Sequence, residues 1–198
     1  MEKTISKEAL NDLPLKHFEG RVDVVEDENT VEELVKELEQ HNCIGFDTET
    51  KPSFQKGKIN QVSLLQFSTE TKAYLFRLNK TGMHPAIVRL LSNPNILKVG
   101  VGIRDDIRGL NRLHEFDHAG FVEIQDHVKR VDIEDTSLKK LAGIVLNFRV
   151  SKRQRLSNWE APRLSEGQVI YAATDAWVAL KLMIRLLEKF PHAEAQTI

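Results

Sequence analysis

The chain has one cysteine, no long apolar run and almost no net charge, and each shortage excludes something. With Cys43 alone no intramolecular disulfide can form, so this residue is expected to fill a small core position in a protein of a reducing compartment. No stretch approaches the ~20 apolar residues that span a bilayer, and the N-terminus, Met1-Glu2-Lys3-Thr4-Ile5-Ser6, has no apolar signal-peptide region. A cytoplasmic location without membrane partners is the expectation. Lys and Arg number 28 against 29 Asp and Glu, a formal charge of -1, so a nucleic-acid surface would have to be a local basic patch offset by acids elsewhere. What remains is ordinary: 198 residues, 41% hydrophobic and 29% charged, enough for one domain with a sizeable core.

The informative stretch is Cys43-Ile44-Gly45-Phe46-Asp47-Thr48-Glu49-Thr50, an apolar run that ends in two carboxylates one residue apart. In a strand, Asp47 and Glu49 point to one face about 7 Å apart, because side chains alternate. Hard cations such as Mg²⁺ take one or two carboxylates plus substrate phosphates, so the pair suits phosphoryl chemistry. Taken alone it also reads as a solvated strand end.

Residues 1–28 show no periodicity and are expected to be an extension packed on a single domain, residues 29–198. Thr30 reads as an N-cap with Glu33 as its capping-box partner, opening a helix over 31–40 with Val31, Leu34, Val35 and Leu38 as its apolar stripe. Strands over 43–50, 59–68 and 73–78, the first two joined by a polar turn at 51–58, make an antiparallel meander. A helix over 85–91, a strand over 96–101, a helix through Ile107, Leu110 and Leu113 with Asp105 and Asp106 in its first turn, and a strand over 121–124 follow. Helix-dipole complementarity alone would account for one of those two acids. A short helix spans 137–145. Ser165 opens the last helix with Gln168 as box partner and Leu164 and Val169 as a staple, running to about Phe190. Its stripe, Ile170, Ala173, Trp177, Leu180, Ile184 and Leu187, is expected to pack on the sheet. Tyr171 and Asp175 lie at i and i+4 on the edge of that stripe, which sets a hydroxyl beside a carboxylate; on an isolated helix they would be a border Tyr and a solvated Asp.

Two motif matches fail on context. Gly100-Val101-Gly102 would need its third glycine at Asp105, so dinucleotide binding is rejected. His114-Glu115-Phe116-Asp117-His118 has the zinc-peptidase pattern, but the helix is running out there, so the histidines are not expected at helical spacing. The other histidines, His17, His41, His84, His127 and His192, form no pattern and are read as surface or loop residues. Arg149, Lys152, Arg153 and Arg155 crowd seven residues, a solvated loop or a contact for a phosphate backbone.

Taken in order, D-T-E at 47–49, V-G-V-G-I-R-D-D at 99–106 and Y-A-A-T-D-A at 171–176 resemble the DEDDy 3′–5′ exonucleases, in the branch of the Werner syndrome helicase exonuclease domain. The likeness covers 43–187 and includes Phe121-Val122-Glu123, Ser137-Leu138 and Leu156-Ser157-Asn158-Trp159. It implies an α/β, ribonuclease H-like fold, a mixed central sheet flanked by helices. It also implies Asp47, Glu49, Asp106 and Asp175 as ligands of two divalent cations, Mg²⁺ or Mn²⁺, and Tyr171 as the tyrosine of the subfamily. Asp106 is preferred to Asp105 because it stands four residues after Gly102. On that basis Asp47 bridges both cations, Glu49 and Asp175 hold one, Asp106 helps hold the other, and Tyr171 orients the attacking water. The expected reaction is hydrolysis of DNA or RNA from a free 3′ end to nucleoside 5′-monophosphates. The alternatives are a ribonuclease D-like RNA-processing enzyme and a silent nucleic-acid-binding module.

Overall fold

The protein is described by a computed structural model covering residues 2–53, 55, 57, 59–191 and 198. Strands β1 (Arg21–Val25), β2 (Cys43–Thr50), β3 (Val62–Ser68), β4 (Lys72–Phe76), β5 (Leu97–Gly100) and β6 (Phe121–Glu123) form one mixed sheet in the order β1-β4-β3-β2-β5-β6. The expected meander is present, with β3 antiparallel to β2 and to β4. The outer strands join in parallel: β5 on β2, β6 on β5 and β1 on β4.

Parallel joins need crossovers, and helices supply them. Helices α1 (Lys7–Asp12), α2 (Val31–Leu38), α3 (Leu78–Thr81), α4 (Pro85–Leu91), α5 (Arg104–Leu113), α6 (Ile124–Arg130), α7 (Leu138–Leu146) and α8 (Glu166–Lys189) complete the described chain. One face of the sheet buries Phe46, Phe67, Phe76 and Phe121 against Val35 and Leu38 of α2, Ile87 and Leu90 of α4, and Ile107 and Leu110 of α5. On the other face α8 lies across the sheet, with α6 and α7 closing over it through Val128, Leu141, Val145 and Met183. No helix among the described residues is long and apolar enough to cross a membrane.

Several expectations need correction. Residues 1–28 carry regular structure: α1 is capped by Ser6, and Arg21-Val22-Asp23-Val24-Val25 is an edge strand of the sheet. The β-branched run was there to see, but its alternation is too short to stand out. Thr30 makes no side-chain cap bond; its hydroxyl donates to the Asp27 carbonyl at 2.8 Å, because Asp27 caps a preceding turn of 3₁₀ helix at Glu28–Thr30. Helix α6 begins where β6 ends, its N-terminus capped by the Glu123 carboxylate, a residue type that gives no conventional start signal. Both Ser165–Gln168 capping-box bonds form as expected. The stripe on α8 does not: Ala173 and Leu180 are buried, Ile170, Trp177, Ile184 and Leu187 are only half-buried, and Ala172, Ala176, Ala179 and Met183 are fully enclosed. A helix covered by the sheet below and by α7 above has no single apolar stripe. His127 is buried in α6 and His84 caps α4 by accepting from the Ala86 amide, so neither is a free surface residue, while His192 lies outside the described residues.

Candidate active site

Alternation along β2 divides its residues between two environments. Ile44 and Phe46 enter the core under α2 and α4, so Gly45, Asp47 and Glu49 face α8. Gly45 allows the close approach: a Cβ there would stand 1.9 Å from the Ala176 carbonyl oxygen. Any larger residue would push α8 away and take Asp175 with it. The result is that Asp47, Glu49 and Asp175 each present a carboxylate oxygen, all within 4.8 Å of one another.

Tyr171, one turn before Asp175, is 9% exposed and rests on Trp159, whose fully buried ring lies 6.0 Å away between centroids. The loop that carries Trp159 is tied to the first turn of α8 by Gln168, which donates to Ser157 Oγ and the Asn158 carbonyl, each at 3.1 Å. Asp106 is not gathered with the three acids. It stands in the first turn of α5, where its Oδ1 accepts a hydrogen bond from the Thr48 hydroxyl, and it opens onto the adjoining cleft beside Arg112. Asp105 points to solvent and pairs with Arg108. Gly102, at φ +79°, turns the chain into α5, and the buried Glu123 fixes that turn by accepting from the Gly102 and Ile103 amides at 2.8 and 2.7 Å.

Like charges this close raise one another's pKa. Burial first, then Asp106, Asp175 and Glu49, push Asp47 well above the usual carboxylate range. Glu49 is pushed up to about 9 by burial and by Asp175 and Asp106, with Arg155 pulling the other way. Burial raises Asp175 to about 7 against the Tyr171 hydrogen bond and the charge of Lys152. Asp106 rises to about 6, burial outweighing the Thr48 bond. Burial and the neighbouring acids also hold the Tyr171 hydroxyl firmly protonated. The donors are hard oxygens, no cation among the described residues pairs with them, and the group opens to solvent; such a set fits divalent cations.

A cleft of ≈ 320 Å³ opens above these acids, walled by Leu138, Lys139, Lys152 and Arg155. Of the four basic residues singled out in the sequence, Lys152 and Arg155 line it and Arg153 lines a neighbouring groove. Arg149 does not: its Nε donates to the Leu13 carbonyl at 3.0 Å, so it holds the N-terminal segment. The sequence reading also missed Thr48, Glu123 and Gln168 as supports. Glu123 and Trp159 lay within the resembling stretches but gave no sign of what they would hold.

Comparison with known proteins gives the family. A family model described as 3′–5′ exonuclease matches residues 22–191. The mouse bifunctional 3′–5′ exonuclease/ATP-dependent helicase WRN is 33% identical over 193 residues, 92% of this chain and 14% of that protein. The human exonuclease 3′–5′ domain-containing protein 2 is 34% identical over 166 residues, 78% of this chain and 26% of its own length. The chain thus spans only a part of either relative. In fold it resembles the EXO domain of Aedes aegypti Nibbler, with a TM-score of 0.79 and 22% identity over 91% of this chain and 95% of that one. Escherichia coli RNase D superposes with a TM-score of 0.75 at 18% identity, over 87% of this chain and 48% of the other. The match over residues 22–191 and one-third identity along nearly all of its length make this chain a member of the 3′–5′ exonuclease family.

Proposed function

We propose that this chain hydrolyses nucleic-acid phosphodiester bonds from a free 3′ end and releases nucleoside 5′-monophosphates with the help of divalent cations. The observation that carries the reading is the meeting of Asp47, Glu49 and Asp175 within 4.8 Å beside the Tyr171 hydroxyl. Asp47 feels the charge of Asp106 as well as that of Asp175 and Glu49, so it would contribute to two cation positions, Glu49 and Asp175 to one and Asp106 to the second. Bound Mg²⁺ or Mn²⁺ would supply the Lewis acidity that activates water and offsets charge at the departing 3′ oxygen. Tyr171, held protonated against Asp175 and braced by Trp159, orients the attacking water through its hydroxyl. Lys152 and Arg155 attract the phosphate backbone over the acids.

The test uses DNA and RNA oligonucleotides labelled at the 3′ or the 5′ end, each with Mg²⁺, Mn²⁺ or EDTA. A cation-dependent ladder that shortens from the 3′ end is the expected result, and the same gel ranks the two sugars. Binding without cleavage under any cation would replace the enzyme reading with that of a silent binding module.

A further inference from the structure

Beyond Tyr171 the active cleft continues into a second groove of ≈ 280 Å³, and the two share Ser151 and Tyr171 as walls. Its far wall is the N-terminal segment Leu15, Lys16 and His17, and its near wall is the loop that bears Arg153. The segment is fastened rather than loose. Arg149 accepts from the Lys16 amide and donates to the Pro14 carbonyl, both at 3.0 Å, while its guanidinium holds Leu13. Just beyond, the Phe18 amide donates to the buried Thr174 hydroxyl at 3.0 Å and the Phe18 ring lies 6.0 Å from Trp177. Lys16 and His17 therefore stand at fixed positions on the edge of the groove.

Charge separates the two spaces. The cleft holds three carboxylates, whereas the groove is lined by Lys16, His17 and Arg153 and by no acid. Away from the two spaces many cations are matched with carboxylates, as in Lys51 with Glu160, Lys72 with Glu37 and Arg89 with Glu39. Lys16 and Arg153 make no ion pair among the described residues; Lys16 only leans over the Phe148 ring at 5.6 Å. Leu15, 53% exposed, and Ile170 add an apolar surface beside these charges. A phosphate between two unmatched cations with a base on the apolar side is the ligand this groove suits.

Resting on the exonuclease reading, we infer that Leu15–His17 and Arg153 form a subsite for single-stranded nucleic acid, holding the nucleotide next to the one under attack at the acids.

Binding of fluorescent eight-nucleotide DNA and RNA strands is measured by anisotropy in EDTA across a salt series, which removes cleavage from the readout. Replacing both residues (Lys16→Ala with Arg153→Ala) should lower the steepness of log affinity against log salt by about 0.7, since the two cations hold one phosphate and each single-strand phosphate contact contributes about 0.7. The control, Lys36→Ala on α2, should leave the slope where it was. In cleavage with Mg²⁺, the double variant should raise KM for the eight-nucleotide strand several-fold more than for a dinucleotide, which cannot fill both spaces. A double variant with the control's slope and equal KM changes on both substrates would overturn the subsite, as would an unaltered protein that binds neither strand in EDTA. Failure of the unaltered protein to cleave at all, with the slope still falling by about 0.7, would count against the exonuclease reading and leave the subsite standing.

Discussion

At the β1–β4 edge of the sheet, Lys72 lies 2.9 Å from Asp23 and 2.5 Å from Glu37, and the Tyr74 hydroxyl donates to the same Glu37 at 3.0 Å. Nearby, Arg77 is wholly buried and bonded to Glu26 at 2.7 Å. At the end of β2, three carboxylates meet with no cation among the described residues in ion-pair contact. The two regions have opposite electrostatics: hydrogen bonds from Lys80 and Arg77 hold Glu26 below its usual range, and one from Lys72 does the same for Glu37, while burial and repulsion lift Asp47 and Glu49 above it. The first arrangement is complete in itself and serves the fold. The second is incomplete until something positive arrives, which is the mark of a site arranged for a ligand at some expense of stability.

The contrast can be broken by substitution at either end. Asp47→Ala should cost at least about a thousandfold in cleavage, since Asp47 is the acid common to both proposed cation positions, while the cation-free melting temperature stays level or rises because a repelling charge is gone. Equal turnover would remove Asp47 from the site. Arg77→Met should do the reverse, lowering stability by about 3 kcal/mol in urea unfolding, because the Ala161 carbonyl loses its donor and Glu26 and the Pro162 carbonyl keep only Lys80. A loss under about 1 kcal/mol would mean that the clamp is dispensable.

Tyr171→Phe separates chemistry from cation binding. A fall of about 10²-fold in kcat with Mn²⁺ affinity unchanged is expected, and a collapse of that affinity would contradict the water-orienting role.

A further effect is on pH dependence, and its sign differs between the two regions. Glu49 at about 9 and Asp175 at about 7 keep protons in the folded chain that the unfolded chain releases near 4.5 and 3.8. The folded state then binds more protons, so cation-free stability falls as pH rises from about 4 through 9. Glu26 and Glu37 are depressed instead, and their contribution is lost as pH falls below about 4.5. Melting temperature without cations should peak near pH 5 and decline on the alkaline side, and saturating Mg²⁺ should abolish the decline. A profile flat to pH 9 would deny the coupling among the acids.

Much of this was legible in the residues. The D-x-E pair on an apolar strand and the Tyr171–Asp175 pair on a well-capped helix carry local spacing rules, and spacing is what a sequence states openly. The meeting of the two pairs was not legible locally, because it depends on Gly45 letting α8 touch β2 across about 130 residues of chain. The same holds for Arg149, which stands in a basic run and turns inward to two backbone carbonyls, and for Glu123, whose carboxylate caps a helix and pins the turn before Asp106. β1 was missed because five residues at an edge give little alternation, and the stripe on α8 because neighbours on both sides erase it.

The most direct test of the central claim is calorimetric titration of Mn²⁺ into the unaltered chain and into Asp47→Ala at pH 7, repeated in two buffers of different ionisation enthalpy. Saturable binding with proton release, lost or strongly weakened in the variant, is the result expected of acids that hold protons until a cation displaces them. Binding of equal strength in both proteins, or no binding in either, would contradict it.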